Sequence, residues 1–268
     1  DECVGIPTET VYGLAGNAYS NKATSRIFNL KKRPKKNPLI VHYYDLKFLK
    51  NDCLINDQFV KLYRKYCPGP ISFILKIKKN SLISNNATNK KKTLAVRFPK
   101  HPLTRKLLKN LKYPLAAPSA NISTKISPIS KQDVIDEFGK KIKFVLNGGE
   151  SKIGLESTII NLTNKPQILR LGGIERNEIN KFLKINMKFI KKQNNILTPG
   201  QGKVHYSPSI PMRLNVKKPK KNEAFILIKK RKLHSKKFFY LTKNNNLKEA
   251  AKNLYKTLRI IKKNKFKN

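Results

Sequence analysis

Residues 7–16 read PTETVYGLAG, and this stretch decides how the rest of the chain is read. An apolar run, 3–6, leads into it and two glycines close it. Between them stand two threonines, a glutamate and a tyrosine, in a chain where acids are scarce. A strand that stops in such groups presents hydroxyl and carboxylate oxygens at a sheet end, where open α/β sheets bind ligands. The stretch is suited to a small molecule that carries charges of both signs.

Outward from it, short apolar runs alternate with helical patterns. Strands are expected at 3–6, 39–43, 71–77, 94–98, 115–117, 144–146, 158–162 and 167–169, each bounded by Pro, Gly or polar clusters. Helices are expected at 21–32, with Ala23, Ile27 and Leu30 on one face, and at 58–66, 103–110, 131–138 and 175–183. This alternation predicts an α/β fold. Periodicity fails over 186–211, a connector rich in Pro, Gly and Asn, and returns as strands at 224–228 and 238–241 and a helix at 247–261. The expected domains are therefore 1–185, a linker 186–211 and a small α/β appendage 212–268. The Lys/Asn-rich stretch 80–92 reads as a mobile loop.

Lys plus Arg number 59 against 15 Asp plus Glu, a formal charge of +44. Such a field draws polyanions, RNA and nucleotide phosphates among them. An AT-rich coding sequence would produce the same excess of Lys, Asn and Ile, so charge alone does not select a function. Cys3, Cys53 and Cys67 lie far apart and form no CxxC, which predicts buried thiols rather than disulfides or a zinc site. No run approaches the roughly 18 apolar residues of a membrane span, and no leader pattern opens the sequence, so a soluble, cytoplasmic protein with no membrane contact is expected.

Common catalytic signatures are missing. Gly149 and Gly154 have Walker separation, but Leu155 and Glu156 follow where Lys and Ser/Thr are needed. There is no GxGxxG after a strand, no GxSxG elbow, and no metal-ligand spacing among the four histidines. What remains are polar clusters at strand ends. They are Thr8–Glu9–Thr10 with Tyr12; Lys31, Arg33, Asn37 and His42; Thr93 and Arg97; Ser119, Asn121 and Ser127; and Glu156–Ser157–Thr158 with Arg170. Thr93 and Arg97, four apart on one strand, share a face. An arginine between Val96 and Phe98 needs an anionic partner if buried.

The motifs PTETVYGLAG, LKKRPKKNPLIVH, PGPISFIL, LAVRFPKHP, PLAAPSANIS followed by SP, GLESTII, LRLGG and PGQGKVHYSP stand in one order over about residues 3 to 211. In that order and spacing the chain resembles the L-threonylcarbamoyladenylate synthases, the YrdC-like family in its longer, two-domain form. The resemblance implies a twisted, open, mixed sheet with a concave basic surface. It implies a nucleotidyltransferase that joins L-threonine, bicarbonate or carbon dioxide, and ATP into threonylcarbamoyl-AMP and pyrophosphate, for threonylcarbamoyladenosine modification of tRNA. Downstream enzymes would then transfer the threonylcarbamoyl group, and the basic surface is open to tRNA or double-stranded RNA.

Carried over by position, Thr10, His42, Arg97, Ala117 and Ser157 match the threonine-binding set, with Arg97 on the carboxylate. Arg33, Asn37, Thr93, Ser119, Ser127, Arg170 and linker Tyr206 match the ATP-contacting set. Lys31 and Asn121 belong to the KxR and SxN motifs beside the phosphates, and Lys31 and Arg33 are the expected catalytic pair. No carboxylate cluster forms a metal cage, so Mg2+ is expected to arrive with ATP. Ala15, Asn17 and Ser72 depart from the family's usual Gly, Asp and Thr, and the tail is shorter than the usual second domain. A basic RNA-binding module of the same fold, without synthase activity, is the alternative.

Overall fold

The computed structural model describes residues 2–190, 206–230, 235–264 and 266. Its strands are β1 (Val4–Ile6), β2 (Gly13–Asn17), β3 (Ile40–His42), β4 (Ile71–Lys76), β5 (Thr93–Arg97), β6 (Leu115–Ala116), β7 (Phe144–Val145), β8 (Thr158–Asn161), β9 (Gln167–Arg170), β10 (Lys188–Phe189), β11 (Phe225–Lys229) and β12 (Phe238–Thr242). The helices are α1 (Asn21–Lys31), α2 (Leu46–Asp52), α3 (Asp57–Tyr66), α4 (Asn85–Thr88), α5 (Pro102–Asn110), α6 (Lys131–Phe138), α7 (Arg176–Leu183) and α8 (Leu247–Lys263). Ten strands form one mixed sheet in the order β10-β9-β8-β4-β5-β3-β6-β2-β1-β7, and β11 and β12 form a separate parallel pair. This is the expected open mixed sheet with a small C-terminal α/β part.

Alternation along the central strands divides the sheet into two unlike faces. Ile71, Phe73, Leu94, Val96, Phe98 and Ile160 point to the main core, where they join Tyr12, Leu14, Ile27, Val41 and Phe59. The opposite face carries a thin apolar layer of Ile40, Ile74, Ala95, Ile159 and Leu169, and toward β1, β2 and β6 a second cluster of Ile6, Ala15, Leu108, Leu115 and Ala117. Register puts His42 beside Arg97, Arg97 beside Ser72, and Ser72 beside Ile159. Polar side chains at the strand ends therefore form a row across that thinner face.

The structure corrects several expectations. The chain does not end its sheet run at Ile6, because β2 returns antiparallel to β1 (Val4↔Ala15) and pairs with β6 on its other side (Gly16↔Ala116). Strand pairing overrides the poor β propensity of a GLAGN segment. β10 lies within the stretch read as a connector and adds a parallel edge strand to β9. Residues 191–205, the rest of that connector before Tyr206, fall outside the described residues. The segment read as a mobile loop holds α4 and buries Ile83, Ser84, Ala87 and Thr88. Ser84 Oγ binds Asn21 Oδ1 (2.6 Å) and Thr24 Oγ1 (2.8 Å), so polar contacts to α1 anchor it. α2 was not expected either, although Asp45 caps it by accepting from the Phe48 N–H (2.8 Å). All three cysteines are free; Cys3 and Cys53 are buried, whereas Cys67 is only half-buried.

α8 packs against β12 and also against the main domain, where its Tyr255 and Leu258 meet Val11, Ile126 and Ile129. The appendage thus shares a core with the opening stretch. Among the described residues, no helix is long and apolar enough to cross a membrane.

One buried carboxylate ties the first half of the fold together. Asp52, 1% exposed, accepts the hydroxyls of Tyr43 (2.8 Å), Tyr19 (3.1 Å) and Ser81 (2.6 Å). Burial holds the Tyr43 phenol well above its usual ionisation range, so it stays a donor. Asp52→Ala leaves these hydroxyls without their acceptor and should destabilise the protein by about 3 kcal/mol or more, against about 1 kcal/mol for Asp52→Asn. Urea unfolding of the two variants checks the order.

Candidate active site

The turn from β1 to β2 closes on a single hydroxyl. Thr8 Oγ1 donates to the Val11 carbonyl (2.6 Å) and accepts the N–H groups of Thr10 (3.2 Å) and Val11 (3.3 Å). Its proton being used, Thr10 Oγ1 is the donor in the 2.8 Å contact between the two hydroxyls. This turn throws Glu9 toward the end of β5. There Arg97 Nη2 donates to Glu9 Oε1 (2.7 Å), and the Lys100 N–H donates to Glu9 Oε2 (2.9 Å). Burial opposes ionisation of Glu9, but the Arg97 charge and these hydrogen bonds prevail and hold its carboxyl below the usual range.

A narrow hollow, ≈30 Å³, sits over the thinner sheet face, and its wall includes Thr10, Arg33, His42, Arg97, Ala117, Ser119, Ser157 and Arg170. Eight expected site residues from separate segments therefore meet at one place. Arg33 and Arg97 share that wall. Arg33 Nε and Nη2 donate to the carbonyls of Asn37 (3.0 Å) and Pro38 (2.9 Å). With burial, and Arg170 nearby, the Arg33 pKa is lowered to about 9. Ser157 Oγ lies 2.7 Å from Ser72 Oγ and accepts from Arg170 Nη2 (3.0 Å). Gly172 makes this junction possible, because a Cβ there would stand 2.3 Å from the Glu156 carbonyl.

Other expected residues stand behind or beside the wall. Lys31 is fully buried, and its Nζ donates to the carbonyls of Ser119 and Asn121 (2.5 Å each). Burial first, then Arg33, push its pKa down. Lys31 thus braces the 119–121 loop and is not on the hollow's wall. Asn121 Nδ2 likewise donates within its own loop, to Ile122 and Lys125 carbonyls. Thr93 lies at the other end of β5 from Arg97, and Asn37 is held next to Arg33. Ser127 Oγ donates to Glu156 Oε1 (2.5 Å). Tyr206 lines an adjoining cavity of ≈1390 Å³ between the main and C-terminal parts, which shares Glu156 and Arg170 with the hollow. His205 is outside the described residues.

Four buried polar atoms of the expected site residues have no hydrogen-bond partner: Arg97 Nε, His42 Nδ1, Asn37 Oδ1 and Asn121 Oδ1. Native proteins seldom leave such atoms unpaired, and a ligand site is a common reason. Among the described residues, no three His, Cys, Asp or Glu side chains gather as a metal site. Glu156 is the one carboxylate on the hollow's described wall, and both its oxygens already accept hydroxyls. The residues present do not fit a resident magnesium ion.

Residues 1–172 match the family described as "Telomere recombination", and residues 174–267 match "Threonylcarbamoyl-AMP synthase, C-terminal domain". The threonylcarbamoyl-AMP synthase of Pyrococcus abyssi is 37% identical over 280 residues, covering 96% of this chain and 80% of the relative. The chain belongs to the threonylcarbamoyl-AMP synthase family. It is an enzyme of the two-domain type, acting in threonylcarbamoyladenosine modification of tRNA. Synthases from Bacillus subtilis (34% identity, 84% of this chain, 66% of the relative) and Schizosaccharomyces pombe (36%, 81% and 61%) are also similar. The crystal structure of P. abyssi Sua5 complexed with L-threonine superposes with a TM-score of 0.90 at 33% identity, over 99% of this chain and 83% of that one. The tail read as a shortened domain is thus a member of the family's C-terminal domain.

Glu9 and Glu156 stood in the candidate polar clusters but were assigned no role, and Tyr255 was not among the candidates. The two acids carried a signal, since each of the few acids inside a motif has a specific cation or hydroxyl to meet. Tyr255 carried none, because a tyrosine on the apolar face of a helix reads as core.

His42 offers a test of the site's electrostatics. Burial, reinforced by Arg97, lowers its pKa from 6.5 to about 3. Between those values the unfolded chain binds a proton that the folded chain refuses, so stability is full above pH 6.5 and falls on acidification. Glu9, whose folded pKa is also lowered, loses its contribution only below the unfolded carboxylate pKa, near pH 4.5. Between pH 7 and pH 5 the wild type should therefore lose about 2 kcal/mol more than His42→Asn. Urea unfolding at the two pH values measures this difference.

Proposed function

We propose that the hollow seats L-threonine at the Arg97 end and ATP toward Thr93, Asn37 and Arg33, and that the enzyme joins them with bicarbonate or carbon dioxide. The row of strand-end side chains with unpaired buried atoms carries this reading. Arg97 Nε is available to a carboxylate, and its Nη2 stays braced by Glu9. His42, neutral at pH 7, has a free Nδ1 for a hydroxyl or amine. Thr10 and Ser157 supply oxygens, and Ala117 leaves room for a small side chain. Thr93 and Arg97, four residues apart on β5, are separated by about 13 Å, room enough to set a nucleotide beside an amino acid. At its present volume the hollow has to widen to take both.

The chemistry asks little of general bases. Threonine's amine adds carbon dioxide and gives up a proton to form a carbamate, already an anionic nucleophile. A carbamate oxygen attacks the α-phosphorus of ATP, and the bond to pyrophosphate breaks. The protein's part is to align the reactants and to stabilise charge on the phosphates. Arg33 and Arg170 are the cations that face the hollow for this. Lys31 acts from behind, holding the 119–121 loop that carries Ser119. Magnesium enters as ATP's companion. The product passes, in the cytoplasm, to enzymes that transfer the threonylcarbamoyl group to tRNA.

Pyrophosphate release measured with ATP-Mg and bicarbonate should require threonine; release that ignores threonine overturns the proposal. Arg97→Lys keeps a charge for Glu9 but lacks the guanidinium fork. It should raise KM for threonine at least ten-fold with little effect on KM for ATP, and Arg33→Ala should do the reverse. Equal losses on both substrates contradict the division.

A further inference from the structure

One buried carboxylate gathers hydroxyl donors from three separate parts of the chain. Glu156 Oε1 accepts Ser127 Oγ (2.5 Å), and Oε2 accepts the Tyr255 phenol (2.8 Å). The Tyr206 phenol hydrogen-bonds to Glu156 as well, and to Arg170. Ser127 follows β6, Tyr206 is the first described residue after 191–205 within the stretch read as the linker, and Tyr255 stands in the middle of α8. Burial raises the ionisation of both phenols, so each remains a donor. The Tyr206 and Tyr255 rings also stack, with centroids 5.7 Å apart and planes inclined by 28°.

The seat of α8 is built for this contact. Gly154 has φ +73°, and a Cβ on it would lie 2.5 Å from the Lys252 carbonyl, so the helix backbone rests directly on the segment leading to Glu156. One turn beyond Tyr255, Arg259 Nη2 donates to the Ile126 carbonyl (2.8 Å), next to Ser127. A helix that merely buried an apolar face would use phenylalanine at 255 equally well. Instead its hydroxyl satisfies a carboxylate that is only 8% exposed.

We propose that Tyr255 is a positioning residue for the nucleotide end of the site: through Glu156 it fixes Ser127 and Tyr206, and so couples the C-terminal helix to the catalytic hollow. The inference rests on assigning Ser127 and Tyr206 to the ATP side. Glu156 acts as a clasp, with one oxygen serving the main domain and the other the C-terminal helix. Losing the phenol frees that second oxygen to turn, and Ser127 and Tyr206 lose their fixed acceptor together.

The test uses the full chain. Tyr255→Phe keeps the stacking and the packing and removes one donor. ATP affinity, read by calorimetry without turnover, should fall about five- to ten-fold, the size of one lost hydrogen bond. KM for ATP should rise in parallel, while kcat and KM for threonine stay within about two-fold. Glu156→Gln should show the same ATP-weighted loss, and the double variant should be no worse than the worse single one, because both changes cut the same link. Unchanged ATP affinity in Tyr255→Phe overturns the proposal. So does an equal loss in ATP affinity, threonine KM and kcat accompanied by a lower thermal midpoint, or an additive double variant. A wild type that binds ATP yet releases no threonine-dependent pyrophosphate sinks the synthase proposal alone; the calorimetric comparison still decides the clasp.

Discussion

The buried pair of Arg97 and Glu9 is the constraint on which the site depends. Taking a guanidinium and a carboxylate out of water costs several kcal/mol per ion unless geometry and further hydrogen bonds compensate. Here both Glu9 oxygens are used, one by Arg97 and one by the Lys100 N–H. That arrangement needs the β1–β2 turn to deliver Glu9 to the end of β5, which in turn needs the Thr8 hydroxyl to close the turn. A local turn, a sheet register and a charge pair are thus one structural decision.

Two of the hollow's three arginines, Arg97 and Arg33, are braced differently, and the difference matches the charges proposed for their ligands. Arg97 is largely neutralised by Glu9, suited to a single carboxylate. Arg33 is held by the neutral carbonyls of Asn37 and Pro38, so its charge is left uncompensated by an acid at those contacts. A triphosphate, with several negative charges, can use such a charge fully. The overall excess of +44 adds attraction at long range, but these few buried contacts decide orientation.

The sheet explains why so many distant motifs meet. Strands β8, β4, β5 and β3 lie side by side, and their registers bring Ser157, Ser72, Arg97 and His42 onto the thinner face in neighbouring positions. One residue of slip in any pair would turn its polar group into the main core. Beside the hollow, α8 lines the adjoining cavity through Tyr255, whose phenol meets Glu156, a residue common to both walls.

Much was legible in the chain itself. Apolar alternation located most strands and the long helices, and the spacing of Thr93 and Arg97 placed both on one face, since side-chain direction in a strand is a local property. The motif order was enough to indicate the family and most of the wall. Local patterns were silent where partners from elsewhere decide: β2 forms from a glycine-rich segment because β1 and β6 flank it, and α4 is ordered by Ser84 bonding to α1. Which side chains line the hollow and which stand behind it was decided by the tertiary structure too. Lys31 spends its ammonium on the Ser119 and Asn121 carbonyls behind the wall, and Tyr255, which nothing in the sequence singled out, meets the same carboxylate as Ser127. Sequence spacing specifies direction along one element, whereas the partner of a buried polar atom depends on which elements fold against it.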